Sequence, residues 1–284
     1  MTISQALQSA TERLAADTSL RDSASRDAEL LLMHAASLTR AALIAYPERE
    51  LEGAQSAAFE AAIARRLRHE PIQYITGSQE FYGLELAVSS AVLIPRPETE
   101  HLVESVVELL PHNRATVIAD VGTGSGAIAI ALAANLPLAT VTALDLSPAA
   151  LEVAEANVRT HWLQDRIRLL LSDLMGGLAP AEQTGHFDAI VSNPPYVPST
   201  DAASLHPQVR EFEPASALYA GPDGLEIYRR LIPEAAAALK PGGLLALEIG
   251  YGQREPLATL LRGWHEVRFV DDLQGIARVA LARR

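Results

Sequence analysis

The chain has 284 residues, 49% of them hydrophobic, enough to bury a sizeable core and to predict one large domain plus a smaller one. Its net charge of −12, from 23 Lys and Arg against 35 Asp and Glu, argues against a broad nucleic-acid-binding surface and leaves room only for a small basic patch. Disulfides, thiolate metal sites and a Cys nucleophile are excluded because there is no cysteine, and the 8 His stand singly, without an H-x-x-x-H or H-x-H pair, so no metal site is expected.

The N-terminus has no basic-then-apolar leader and no apolar run approaches ~18 residues, so the chain is read as soluble and cytoplasmic, with no membrane association. Residues 1 to about 75 are rich in Ala and Leu, and place apolar residues at helical spacing over Ser4–Ala16, Ser25–Leu38 and Glu52–Glu70. A small bundle is expected, either a recognition domain for a partner or a cap on a larger domain. The cluster Arg65, Arg66, Arg68 and His69 reads as a solvated helix face. Pro71 ends the last helix, and Phe81 to Leu86 reads as a short hairpin turned at Gly83. The segment Leu93 to Glu100, L-I-P-R-P-E-T-E, precedes a helix over roughly Thr99 to Leu110; Pro97 is either an ordinary helix-start residue or part of a segment lining a pocket.

From Thr116 the apolar period changes. Val117 to Val121 reads as a buried strand that enters Gly122-Thr123-Gly124-Ser125-Gly126 and then a helix running to Asn135. Glycines let backbone N–H groups approach a ligand without a Cβ in the way, and the helix N-terminus favours an anion. With Ala127 the loop also satisfies the looser dinucleotide fingerprint, so NAD stays open at this point. A second strand, Thr140 to Asp145, is followed by Ser147 as N-cap and Pro148 as first helical residue. Asp145 therefore stands at a strand end about 20 residues beyond the glycines, where an acid can accept ribose hydroxyls. A third strand, Ile167 to Leu171, ends at Asp173, whose carboxylate could take an amino group.

The fourth strand, Phe187 to Val191, ends at Asn193-Pro194-Pro195-Tyr196. Neither proline donates an N–H, and each biases the residue before it toward extended geometry, which holds the Asn193 and Pro194 carbonyls outward. The Asn side-chain oxygen and the Pro194 main-chain oxygen, side by side, match the two N–H bonds of a planar –NH2 group, and Tyr196 offers an aromatic face. An isolated N-P-P-Y would read as a Pro-rich turn closed by an Asn. Here four successive strands deliver Gly122, Asp145, Asp173 and Asn193 at their carboxyl ends, the crevice where open α/β sheets bind ligands. Beyond a loop from Val197 to Pro222, a helix from Leu225 to Leu239 is stopped by Lys240-Pro241-Gly242-Gly243. Leu244 to Ile249 reads as a fifth strand, and Glu266–Val270 with Ala277–Ala280 as a terminal hairpin.

These motifs, in this order, resemble the HemK/PrmC family of release-factor glutamine methyltransferases: P-I-Q-Y-I-T-G from Pro71, L-I-P-R-P-E-T-E, D-V-G-T-G-S-G from Asp120, V-S-N-P-P-Y, A-G-P-D-G-L-E-I-Y-R from Ala220 and G-I-A-R-V from Gly275. The resemblance implies an α/β, Rossmann-like, seven-stranded class I methyltransferase domain at 95–284 whose last strand is antiparallel, a β-hairpin linker at 76–94, and a helical substrate-recognition domain at 1–75. By matching position, it implies that Gly122, Thr123, Gly124, Ser125 and Gly126 hold the methionine moiety of S-adenosylmethionine, Asp145 its ribose, and Asp173 with Leu174 its adenine. Asn193, which also belongs to the cofactor-binding set, would hold the substrate glutamine together with Pro194, Pro195 and Tyr196, with Asn193, Pro194 and Tyr196 serving the chemistry. Related sequences often carry an aromatic residue where this one has Leu174. The implied partner is the Gly-Gly-Gln loop of a peptide chain release factor and the implied product S-adenosylhomocysteine. Two rivals share parts of the pattern: an adenine or cytosine amino methyltransferase would keep N-P-P-Y, and a non-catalytic nucleotide-binding module would keep the glycines and Asp145.

Overall fold

In the computed structural model, which describes residues 1–284, the chain divides into two units: 1–77 with 206–212, and 78–205 with 213–284. The first is all-helical. Helices α1 (Ile3–Ala15), α2 (Ala24–Ala36), α3 (Arg40–Ala45), α4 (Gly53–Arg66) and α5 (Ile72–Thr76) close over Ile3, Leu14, Leu31, Leu32, Phe59 and Ile63. A capping box opens α1: Gln5 N donates to Thr2 Oγ1 and Thr2 N to Gln5 Oε1. Periodicity predicts three helices where the unit has five along residues 1–77, because α3 and α5, of 6 and 5 residues, are too short to show a full apolar repeat. The helix expected to reach Glu70 stops at Arg66, and Pro71 stands at the N-cap of α5.

The basic cluster at the end of α4 and just beyond it is only in part the solvated face its sequence suggests: Arg68 is exposed, but Arg66 is not. Arg66 is buried, its Nε donating to Asp27 Oδ2 at 2.7 Å and its Nη1 to Glu70 O and Gln208 Oε1, both at 3.0 Å. Arg65 forms a two-point pair with Glu70, at 2.8 and 2.5 Å, which holds the Glu70 carboxyl below its ordinary value. A buried guanidinium is tolerated only when its donors are filled in this way, and a run of basic letters does not reveal the partners.

The second unit begins with the hairpin β1 (Ser78–Phe81) and β2 (Leu84–Ala87), whose two turn residues, Tyr82 and Gly83, have φ of 53° and 76°. Positive φ at both central positions matches the right-handed twist of the strands. A 3-10 turn at Pro97–Thr99 leads into α6 (Glu100–Leu109). Then come β3 (Thr116–Val121), α7 (Ala127–Asn135), β4 (Ala139–Asp145), α8 (Pro148–Thr160), β5 (Ile167–Leu171) and β6 (Phe187–Ser192). The region read as a long loop contains two 3-10 turns, Ser199–Ser204 and Ala215–Ala217, and the short helix α9 (Pro207–Phe212), the last grouping with the first unit. It is followed by α10 (Glu226–Ala238), β7 (Leu239–Glu248), α11 (Arg254–Leu260), β8 (His265–Asp271) and β9 (Ala277–Arg283).

Seven strands form one sheet in the order β5-β4-β3-β6-β7-β9-β8, and β9 alone runs against its neighbours. Alternation along the strands sends Ile118, Ala189 and Val191 to one face, under α6, α7 and α8, and Ala119, Val121 and Ile190 to the other, under α10 and α11. Helix α7 is buried at every residue from Ala127 to Ala133, so its run of Ala and Ile reads as apolar all round. Lys240 to Gly243, expected to separate the helix from a strand starting at Leu244, lie inside β7 instead and loop out of it, so that Leu239 pairs with Phe187 and Leu244 with Ala189, while Lys240 Nζ reaches Asp188 Oδ2 at 2.8 Å. The chain leaves β3 toward β4 and β5 and returns beside β3 as β6, which puts the topological switch point between β3 and β6. No helix is long and apolar enough to cross a membrane.

Candidate active site

At the carboxyl ends of β3, β4, β5 and β6 lies a cavity of about 230 Å³ lined by, among others, Gly122, Thr123, Gly124, Ser125, Asp145, Asp173, Leu174, Asn193, Pro194 and Pro195. The four strand-tip residues singled out by sequence thus line one cavity. Two members of the expected set do not line it, Gly126 and Tyr196.

The glycine loop is made by backbone. Gly122 N and Thr123 N both donate to Leu144 O, at 2.8 and 2.9 Å, and Gly126 N donates to Thr123 O. Gly122 and Gly124 have φ of 75° and 56°, which side chains rarely adopt, and a Cβ on Gly124 would meet nothing within 4 Å, so the space above it is the cavity itself. Gly126 serves packing instead: its Cβ would lie 3.2 Å from Ile130 Cδ1 and 3.4 Å from Ala154 Cβ, at the start of α7. Beneath the loop Asp120 is fully buried, its Oδ2 accepting from Thr123 Oγ1 at 2.6 Å and Ala129 N at 3.2 Å, while Oδ1 has no partner. Burial, reinforced by the charge of Asp145, pushes its carboxyl up to about 7.

Asp145 does more than face the cavity. Its Oδ2 accepts from Gly124 N at 2.8 Å and its Oδ1 from Ser147 N at 2.9 Å, while Ser147 Oγ caps α8 through Ala150 N. Each carboxylate oxygen retains a further acceptor site for a ligand hydroxyl. Asp173 is half exposed and paired with Arg230 Nη2 at 2.7 Å. Leu174 has φ of 49°, an uncommon value for a residue with a Cβ, and its carbonyl accepts from Ser172 Oγ at 2.6 Å. That local bond holds the leucine side chain on the cavity wall, against the apolar cluster under α10.

The N-P-P-Y wall is held from behind by side chains. Asn193 Nδ2 donates to Thr99 Oγ1 at 3.1 Å, and Thr99 Oγ1 donates to Glu248 Oε2 at 2.6 Å. With the amine of Asn193 tied back to Thr99, neither its Oδ1 nor the Pro194 carbonyl accepts a bond from the protein, and both residues line the cavity. Segment P-R-P-E-T-E fills both roles left open by sequence: Pro97 starts the 3-10 turn, and Pro95 and Thr99 line the cavity. Glu248 is buried, and burial pushes its carboxyl up to about 7.

Tyr196 corrects an expectation. Rather than offering an aromatic face to the cavity, its ring packs over Gly250, where a Cβ would come within 2.9 Å of Tyr196 Cδ2, and its hydroxyl donates to Glu248 Oε1 at 3.3 Å. Burial and the neighbouring Glu248 hold the phenol well above its usual value. Gln253 Nε2 donates to Tyr196 O at 3.0 Å and to Gly224 O at 3.2 Å. Gly224 itself passes so close that a Cβ would sit 2.3 Å from Tyr196 O. In the sequence Thr99 and Gly224 stand only inside longer motifs, and nothing local marks Gln253 as a site residue. One signal was available for Glu248: like Asp145 and Asp173, it is an acid at the end of an apolar strand run, L-L-A-L-E.

Comparison with known proteins agrees with this architecture. The PrmC N-terminal domain family matches residues 5–77 and the methyltransferase small domain family residues 100–209. Among solved structures, the hMettl16 catalytic domain superposes with a TM-score of 0.57 at 19% identity, over 80% of this chain and 81% of that one, a likeness of fold alone. A release factor glutamine methyltransferase of Koribacter versatilis is 48% identical over 100% of this chain and 99% of its own length. One of Moorella thermoacetica is 47% identical with the same coverage, 100% and 99%. The chain belongs to the release factor glutamine methyltransferase family.

Proposed function

We propose that this protein transfers a methyl group from S-adenosylmethionine to the side-chain amide nitrogen of a glutamine in a peptide chain release factor, at the Gly-Gly-Gln tip. The observation that carries the reading is the pair of free acceptors, Asn193 Oδ1 and the Pro194 carbonyl, on the same cavity as the glycine loop. The residues fit the cofactor: the open space over Gly124 admits a ligand chain, and the Asp145 carboxylate has acceptor sites left for ribose hydroxyls. Gly122 to Ser125 would hold the methionine portion, Asp145 the ribose, and Asp173 with Leu174 the adenine, contacted by an aliphatic side chain and the backbone. Gly126 supports that loop through its packing.

When bound, S-adenosylmethionine would supply an electrophilic methyl to the amide nitrogen and leave as S-adenosylhomocysteine, its sulfur keeping the electron pair of the broken C–S bond. Delocalisation makes an amide nitrogen a poor nucleophile, so positioning must supply most of the rate, and reaction-ready placement can be worth ~7–11 kcal/mol. Asn193 Oδ1 and the Pro194 carbonyl accept the two N–H bonds, fix the nitrogen, and stabilise the positive charge that develops on it. The excess proton leaves to water. Pro195 stiffens the acceptor pair, and Tyr196 acts by anchoring the tip through its hydroxyl and carbonyl.

A release-factor loop with two glycines can bring its backbone into a strand-tip crevice where a Cβ would collide. Residues 1–75 then supply remote contacts that a free glutamine lacks. The test is incubation with labelled S-adenosylmethionine and, in separate arms, a whole release factor, tRNA and rRNA. Label in the release factor alone is expected; label in RNA alone would favour the nucleic-acid amino methyltransferase, which the net charge of −12 opposes.

A further inference from the structure

Behind the acceptor wall stands a buried acid that the transfer itself does not use. Glu248, at the end of β7, is 2% exposed and reaches the cavity only through Thr99. We propose that Glu248 is a positioning residue which, acting through the Thr99 hydroxyl, fixes the end of the Asn193 carboxamide that faces the substrate. The proposal rests on the reading of Asn193 as an acceptor for the reacting amide.

The argument is one of hydrogen-bond direction. A hydroxyl has a single proton, and an ionised carboxylate can only accept. Thr99 must therefore spend its proton on Glu248 Oε2, at 2.6 Å, and can only accept from Asn193, at 3.1 Å. This leaves Asn193 no choice but to offer Nδ2 to Thr99 and Oδ1 to the cavity. If Glu248 carries a proton, its carboxyl can donate to Thr99, the hydroxyl proton is released toward Asn193, and the carboxamide is drawn round to offer Oδ1 inward. Its –NH2 would then confront the –NH2 of the substrate, donor against donor. The acid thus sets the polarity of a site it does not touch.

The groups around Glu248 make both states accessible near neutral pH. Tyr196 donates its hydroxyl to Oε1 at 3.3 Å, and Tyr228 donates to the Glu248 main-chain carbonyl at 2.7 Å. Glu98, in the turn before α6, disfavours the ionised form, and Arg278, on β9, favours it. Arg278 is itself engaged by Asp272 at 2.8 Å, so no ion pair fixes the charge of Glu248. Burial outweighs these influences and brings the carboxyl to about 7.

The test uses the full chain with a whole release factor and S-adenosylmethionine, both saturating, across pH 6 to 9. Wild-type kcat is expected to rise through one ionisation near neutral pH. Glu248→Gln, which keeps the shape and can donate to Thr99, should lower kcat at high pH by roughly 10- to 100-fold, the scale at which outer supports of a working group act. The pH step should disappear, while KM for the release factor and Kd for the cofactor move less than about threefold, within the scatter of a nearly isosteric change. Should that variant fold poorly, Thr99→Val breaks the same relay, and Thr99→Ser, which keeps the hydroxyl, is expected to recover most of what Thr99→Val loses. The proposal is overturned if Glu248→Gln retains the wild-type pH step, if cofactor affinity falls in parallel with kcat, or if Thr99→Ser and Thr99→Val behave alike. Asn193→Ala separates the two levels: normal turnover there removes the underlying reading, whereas a crippled Asn193→Ala beside an unaffected Glu248→Gln removes only the relay.

Discussion

The glycine-loop wall and the N-P-P-Y wall of the cavity both stand at strand tips, yet they are built by different means. The first is held chiefly by main-chain N–H groups of one β-loop-α unit on its neighbouring strand, Gly122 and Thr123 donating to Leu144 O and Gly124 to the Asp145 side chain. The second is held by side chains far apart in sequence: 94 residues separate Asn193 from Thr99, and 149 separate Thr99 from Glu248. A wall made by backbone tolerates change in most side chains but not in its glycines; one made by a relay fails wherever a link is cut. Binding and catalysis should therefore respond to different mutations.

The largest effect is expected on the relay side. Asn193→Ala removes one acceptor from the reacting amide, and methyl transfer should fall by roughly 10²–10³-fold, with cofactor affinity changed much less. Steady-state rates and calorimetry on the same preparation check this, and near-normal turnover would take Asn193 out of the chemistry.

The same wall should show its cost in stability. The Glu248 carboxyl is raised from 4.5 to about 7 on folding, so the folded state holds a proton that the unfolded state has lost in that window. Its contribution is fully present below 4.5 and is lost as pH rises through about 7. At full ionisation the loss is of the order of 3 kcal/mol. Asp120 acts in the same direction and window, but it is common to both proteins in a comparison of wild type with Glu248→Gln. Urea midpoints at pH 5 and 8 should drop more for the wild type, and an equal drop in both would show that Glu248 does not titrate there.

On the glycine-loop side, Asp145→Ala should weaken S-adenosylmethionine binding by about 1.5–3 kcal/mol, the usual worth of hydrogen bonds to a charged acceptor. Because Asp145 also anchors Gly124 N and Ser147 N, some of that loss comes from a loosened loop. Unchanged affinity by calorimetry would remove the ribose role, and tight NADH binding by the variant would revive the dinucleotide reading. The smallest effect belongs to the exposed pair of Asp173 with Arg230, 55% and 44% exposed. Arg230→Ala should change stability by less than about 1 kcal/mol, as exposed ion pairs do. A larger shift in the thermal midpoint would mean the pair is structural.

The same contrast governs how much of the molecule could be read from its letters. Strand tips are legible because a short continuous apolar run followed by Gly-Thr-Gly or Asn-Pro-Pro is a local signal, and the four tips reach one cavity. The hairpin at Tyr82-Gly83 is legible for the same reason. Short helices such as α3, α9 and α11, of 6, 6 and 7 residues, leave too few turns for a repeat. The orientation of Tyr196 was illegible because Gly250 and Gly224, 54 and 28 positions onward by number, make the space that draws it inward. Likewise Arg66 sits in a basic run, and only the fold supplies Asp27 to bury it.

The central claim is that a glutamine amide nitrogen is methylated against Asn193 and Pro194. Its most direct test is tandem mass spectrometry of a whole release factor after incubation with S-adenosylmethionine and either the wild-type chain or Asn193→Ala. The account predicts one methyl on the side-chain nitrogen of the Gly-Gly-Gln glutamine with the wild type, and a trace of it with the variant in the same time. A methyl on any other atom of the release factor, or equal yields from the two proteins, would contradict it.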